Sequence, residues 1–355
     1  MFANKKHILA LTKIKRTRTF PSKGQVNVRV GQKVSANEAI GEYIQEKEYS
    51  LINVRKLLNL NNNKDARQLI KCKVADTLQQ DDLIAESGGL FSKTIRAPYM
   101  SEVLLINSSQ ILLQNVSNPV PLLAGMDSIV VEILPDRGAI LEANGVLIQG
   151  IWGNQRIQSG MLIPILENPS HKLQISDIDV TYRGSILVGG YCDDINIIKY
   201  ASELPLKGLV LSSIHPDLLS VAENSEVAII VTDGFGDTPM NVRTFELLTT
   251  NSKRDTSVNA EYNLQLGKIP EIIIPLPAEG YLPNDITEFK PGLIVRINHG
   301  PQIGLMGEIT KIMDKPSVLP HGIKTMCALV KIFKTGDDSE QKEQLFPLAN
   351  IDVVE

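Results

Sequence analysis

The alternation of apolar and polar positions divides the chain into short strands at both ends and a strand–helix alternation in the middle. VRVGQKVSANEAIGE, from Val28 to Glu42, recurs as CKVADTLQQDDLIAE, from Cys72 to Glu86, an offset of 44 residues (72 − 28). Each copy reads as strand, polar turn, strand. A second echo joins RAPYMSEVLLI (Arg96 to Ile106) to LAGMDSIVVEI (Leu123 to Ile133), with an alanine six residues before a valine in each. Between the first two copies, Leu51, Val54, Leu57 and Leu58 have helical spacing and predict one small helix bridging two β halves, ended by NNNKD. Residues 138–165 read as hairpins punctuated by Asn144, Gly145, Gly153, Asn154 and Gly160. From Gly184, strand and helix then alternate three times: GSILVGG, INIIKYASEL, KGLVLSSI, PDLLSVA, VAIIVTDG and MNVRTFELLTT. That order predicts a small parallel sheet covered by helices and ending with EIIIPL near residue 275. PAEGYLPNDITEFKPG reads as a linker, after which the pattern is β to the end.

The first pair of repeats resembles the half-motif of the barrel-sandwich hybrid of biotinyl and lipoyl carrier domains, and IRAPYMSEVLLI resembles that family's closing strand; Ala75 replaces Gly31 in the second copy. This resemblance implies a modified lysine thirteen positions after the valine, which from Val34 is Lys47, although its neighbours Glu46 and Glu48 are not those of the family. A solvated lysine in a charged hairpin is the simpler use. FKPGLIVRINHGPQIGLMGEITKI, from Phe289 to Ile312, resembles a KOW motif, with Gly304 and Gly307 in its turn. That resemblance implies an SH3-like barrel of the kind found in ribosomal proteins and NusG-type elongation factors. The expected protein is thus α+β and multidomain: a barrel-sandwich-like β domain (1–135), a β-hairpin extension (136–170), a small α/β domain with a parallel sheet (171–275), a linker (276–287) and an SH3-like β barrel (288–355). As a whole the arrangement resembles a group of bacterial proteins, a resemblance that implies no activity.

Composition narrows the chemistry. With 43% hydrophobic and 21% charged residues over 355 positions the chain is globular in composition, and no apolar run approaches the length of a membrane span. No secretory signal follows Lys5 and Lys6, so a cytoplasmic location is expected. Cys72, Cys192 and Cys327 lie far apart without CxxC spacing, giving neither a disulfide framework nor a zinc site, and no metal or cofactor is expected. The net charge of −4 argues against a generally basic nucleic-acid binder. The exception is local: Lys5, Lys6, Lys13, Lys15, Arg16 and Arg18 stand in the first twenty residues with no acid, either an arm for phosphate or an acidic partner or an alternating edge strand protected by its charges.

In open α/β sheets ligands bind beyond the carboxyl ends of the strands, which places Gly189, Gly190, Ser212, Ser213, Asp233, Gly234, Gly236 and Asp237 at the candidate crevice. Thr232 to Met240 is neither a GxGxxG nor a P-loop, and a glycine-turned loop with an Asp or Thr helix cap is the commoner use of such residues. His215, Asp193 and Asp194 form no catalytic constellation and read as capping residues, and Trp152 as a core anchor. In the barrel, Arg296, Ile303, Leu305 and Met306 are the candidate contacts; residues 288–355 carry eight basic and nine acidic side chains, and an apolar turn suggests protein rather than phosphate.

The expected function is therefore non-catalytic binding: an adaptor of the transcription or translation apparatus, with RNA polymerase or the ribosome as partner. The alternatives are a ligand-binding or enzymatic α/β domain centred on the 232–240 loop, and a carrier loaded at Lys47.

Overall fold

The computed structural model describes residues 2–44, 49–60, 66–88, 92–115, 119–300, 302, 304–320, 322–333 and 343–355. Lys47 and Ile303 lie outside them. The protein is a β-rich α+β molecule with several sheets.

Its centre is a twelve-stranded sheet. Strands Ile186–Val188, Gly208–Ile214 and Ala228–Phe235 pair in parallel, as their order in the chain requires. They are apolar on both faces. Leu187, Leu209, Leu211, Ile229 and Val231 pack with helices Ile195–Glu203 and Leu219–Glu223. Ile186, Val188, Val210, Ala228 and Ile230 face helix Val242–Thr250 on the other side. Such two-sided burial is why these strands lack alternation. Trp152 is 8% exposed within the first of these cores, the anchoring use expected of it.

The hairpins expected over 138–165 do not form. Gly138–Gln149 pairs instead with Ile8–Thr19, Ser128–Leu134 and Glu271–Pro275, while Ile157–Pro164 pairs with Ile186–Val188 and Asp255–Asn259. Val146 and Ile148 are buried in one core and Leu147 in another, so this strand runs between two packed layers and is paired on both edges, by Ile8–Thr19 and Glu271–Pro275. At Gly145 a Cβ would stand 2.1 Å from the Ile274 carbonyl oxygen, so the close approach of that neighbour requires glycine.

The internal repeat is structural as well as sequential. Gly31 N–H donates to Val130 O at 2.7 Å and Ala75 N–H to Val103 O at 2.8 Å, while Ala124 N–H donates to Glu38 O and Ala97 N–H to Asp82 O. Each copy thus pairs with one member of the second echo. The helix expected across Leu51 to Leu58 is shorter: Tyr49–Asn53 is a strand, and Val54–Leu57 is a single turn capped by the Asn53 side chain.

The C-terminal β unit holds a strand the sequence reading placed elsewhere. Phe2–Lys6 pairs with Ile286–Glu288 and, in parallel, with Ile351–Val354. It lies in a seven-stranded sheet with Ile294–Ile297, Met306–Ile312, Cys327–Ile332 and Glu343–Pro347. A separate hairpin pairs Ser317–Val318 with Lys324–Thr325.

Candidate functional site

The carboxyl ends of the parallel strands come together as expected, but the chain's own atoms fill the space beyond them. At Gly190 a Cβ would lie 1.6 Å from the His171 carbonyl oxygen, and at Gly189 it would lie 2.8 Å from the Leu173 side chain. These glycines admit the 171–173 segment, whose Leu173 N–H donates to Tyr191 O, rather than a ligand. Ser213 Oγ donates to Thr238 O at 2.8 Å and accepts from Thr238 N–H at 3.1 Å, which folds the 236–240 loop back over the strand end. At Gly234 a Cβ would meet Thr238 Oγ1 at 2.8 Å, and Gly236 turns with a φ of +80°. Asp237 does not cap the following helix; Asn241 does, accepting from Arg243 N–H and Thr244 N–H.

Asp233 is the buried acid of this site. Its Oδ2 accepts from Thr232 Oγ1 at 2.7 Å, and Asn241 donates a backbone hydrogen bond to it. Burial pushes its carboxyl above the usual range against the pull of Arg296, Thr232, Asn241 and Lys6. Arg296, expected as a partner contact, is only 4% exposed. From the C-terminal β unit it donates NH1 to Thr232 O at 2.9 Å and stands 3.6 Å from Asp233 Oδ1. Beside it, Lys6 Nζ is 2.8 Å from Asp352 Oδ2, and Asn298 Nδ2 donates to Asp352 Oδ1 at 3.0 Å. Burial and the charge of Arg296 push the Lys6 ammonium down, with Asp352 and Asp233 opposing. Burial raises the Asp352 carboxyl, but Lys6, Arg296 and Asn298 outweigh it and leave it below the usual range. The two candidate sites, the strand-end loop and the turn that precedes Met306–Ile312, therefore meet each other: a Cβ at Gly304 would stand 2.5 Å from Thr238 Cγ2.

The basic block is also largely engaged within the chain. Lys5 pairs with Glu355, Lys6 with Asp352, Lys13 with Glu142, Arg16 with Glu271 and Arg18 with Glu261. Lys15 is exposed. Of the apolar turn, Leu305 is 39% exposed and Met306 half-buried. Two of the residues near possible chemistry cap as expected, His215 Nδ1 accepting from Asp217 N–H and Asp194 capping helix Ile195–Glu203, whereas Asp193 does not cap and pairs with Lys172 at 2.6 Å. Burial raises the Cys192 thiol to about 12, which makes it a poor nucleophile. Among the described residues no His, Cys, Asp and Glu cluster could hold a metal ion.

Asn298 and Asp352 were not legible as site residues, and Lys6 was legible only as a member of the basic block. Strand order points to Asp233, but nothing local to it names partners drawn from both ends of the chain. An open groove of about 590 Å³ was equally hidden; it is lined by Lys33, Ile129, Val131, Glu142, Leu276 and Pro277 and brings together segments far apart in sequence. Comparison with protein-family models and with curated proteins gives no match.

Proposed function

We propose that the protein is a non-catalytic adaptor that binds a protein partner through the outer surface of its C-terminal β unit, read as a KOW-type, SH3-like barrel, with the transcription or translation apparatus as the partner class. The carrying observation is a contrast. The strand ends where an α/β domain would bind a substrate are filled by Arg296, Thr238 and the 171–173 segment, while Val318 and Ile323 of the C-terminal hairpin are 66% and 60% exposed. Exposed aliphatic side chains on a surface hairpin suit a protein surface better than phosphate. The first 135 residues retain the reading of a barrel-sandwich region of biotinyl or lipoyl type, supported by the paired repeat; loading at Lys47 is tested by intact mass.

The test is recovery of the tagged full-length protein from its native host at low and moderate salt, with mass spectrometry of bait and partners. RNA polymerase or ribosomal components that are lost on Val318→Asp with Ile323→Asp support the adaptor. A partner-free bait, or partners indifferent to both substitutions, contradicts it.

One observation favours a second reading, ligand binding at the 232–240 loop: Asp233 and Thr232 already hold a guanidinium, that of Arg296.

A further inference from the structure

We draw no further inference here: the strongest candidate, the open groove walled by Ile129 and Val131 of strand Ser128–Leu134 and by Leu276 and Pro277, carries nothing because its lining charges cancel, Lys33 against Asp127 and Glu142 against its own partner Lys13, and nothing in the structure shows what covers it.

Discussion

Arg16 and Glu271 form a two-pronged ion pair, with Nε to Oε2 at 2.9 Å and NH2 to Oε1 at 2.6 Å. Arg16 stands opposite Leu141 and Glu271 opposite Gln149, eight residues apart (149 − 141) along the same strand. Flat, that span is about 26 Å at about 3.3 Å per residue, beyond the reach of an arginine, so the sheet must curl to bring the pair together. Glu271 Oε1 also accepts from Gln149 Nε2 at 2.9 Å. The pair thus fastens the basic strand to the far side of the sheet and removes its charge from use by a partner.

Glu271→Gln is expected to lower stability by about 2 kcal/mol, since it weakens charge-assisted bonds at a buried acid. Lys15→Ala, on an exposed side chain of the same strand, is expected to stay within about 0.5 kcal/mol. Urea melts of both variants check this; similar losses for the two would mean that Arg16–Glu271 is no more than a surface pair.

Glu261 sets an acid limit. Burial raises its carboxyl, but the charge and hydrogen bond of Arg18, reinforced by Lys268, outweigh burial and leave it below the usual value of 4.5. Its folded state therefore binds fewer protons than its unfolded state, and its stabilisation is complete above that value and lost as pH falls through the lowered one. Glu261→Gln is expected to be less stable than wild type at neutral pH, with the difference closing as pH drops below 4.5. A difference constant from neutral to acid would refute this.

The repeat makes a prediction about backbone. Gly31 has a φ of +84° and Ala75, its counterpart, a φ of +72°, a region in which a Cβ costs about 1 kcal/mol. Nothing lies within 4 Å of a Cβ placed at Gly31, so the cost there is conformational alone. Ala75→Gly is expected to stabilise by about 0.5–1 kcal/mol and Gly31→Ala to destabilise by a similar amount. Destabilisation by Ala75→Gly, or stabilisation by Gly31→Ala, in thermal melts would contradict this and show that the two copies are not equivalent in the folded chain.

The contact of loop and turn can be trapped. A Cβ at Gly304 would lie 3.9 Å from Thr238 Cβ, within the spacing of a disulfide. Thr238→Cys with Gly304→Cys is expected to oxidise readily in the native protein, despite the left-handed backbone at Gly304 (φ +87°), and not after denaturation. Non-reducing electrophoresis reads the result; absence of the native crosslink would place the β unit elsewhere.

What the sequence made legible follows from range. The repeat at Val28 and Cys72 and the parallel strands near Ile186, Leu209 and Ile229 are set by patterns inside short windows, and both appear in the structure. The basic block looked free because its acids, Glu142, Glu261, Glu271, Asp352 and Glu355, all lie more than 120 residues away. Strand Phe2–Lys6 was assigned to its sequence neighbours because five residues carry no sign that they pair with Val353 and Val354. Asp233 was legible as a strand-end acid, whereas Arg296, sixty-three residues on (296 − 233), was legible only as a partner contact of another unit.

The central claim is that the chain's own residues close the strand ends of the α/β layer, leaving binding to outer surfaces. The most direct measurement is the melting temperature of the full-length wild type across nucleotides, divalent metals and common metabolites, with Asp233→Ala as control. A closed site predicts no saturable shift, since a ligand stabilises only a state it can enter. A saturable rise with a nucleotide or metal that Asp233→Ala abolishes would contradict the account and make the strand-end crevice the functional site of the wild-type protein.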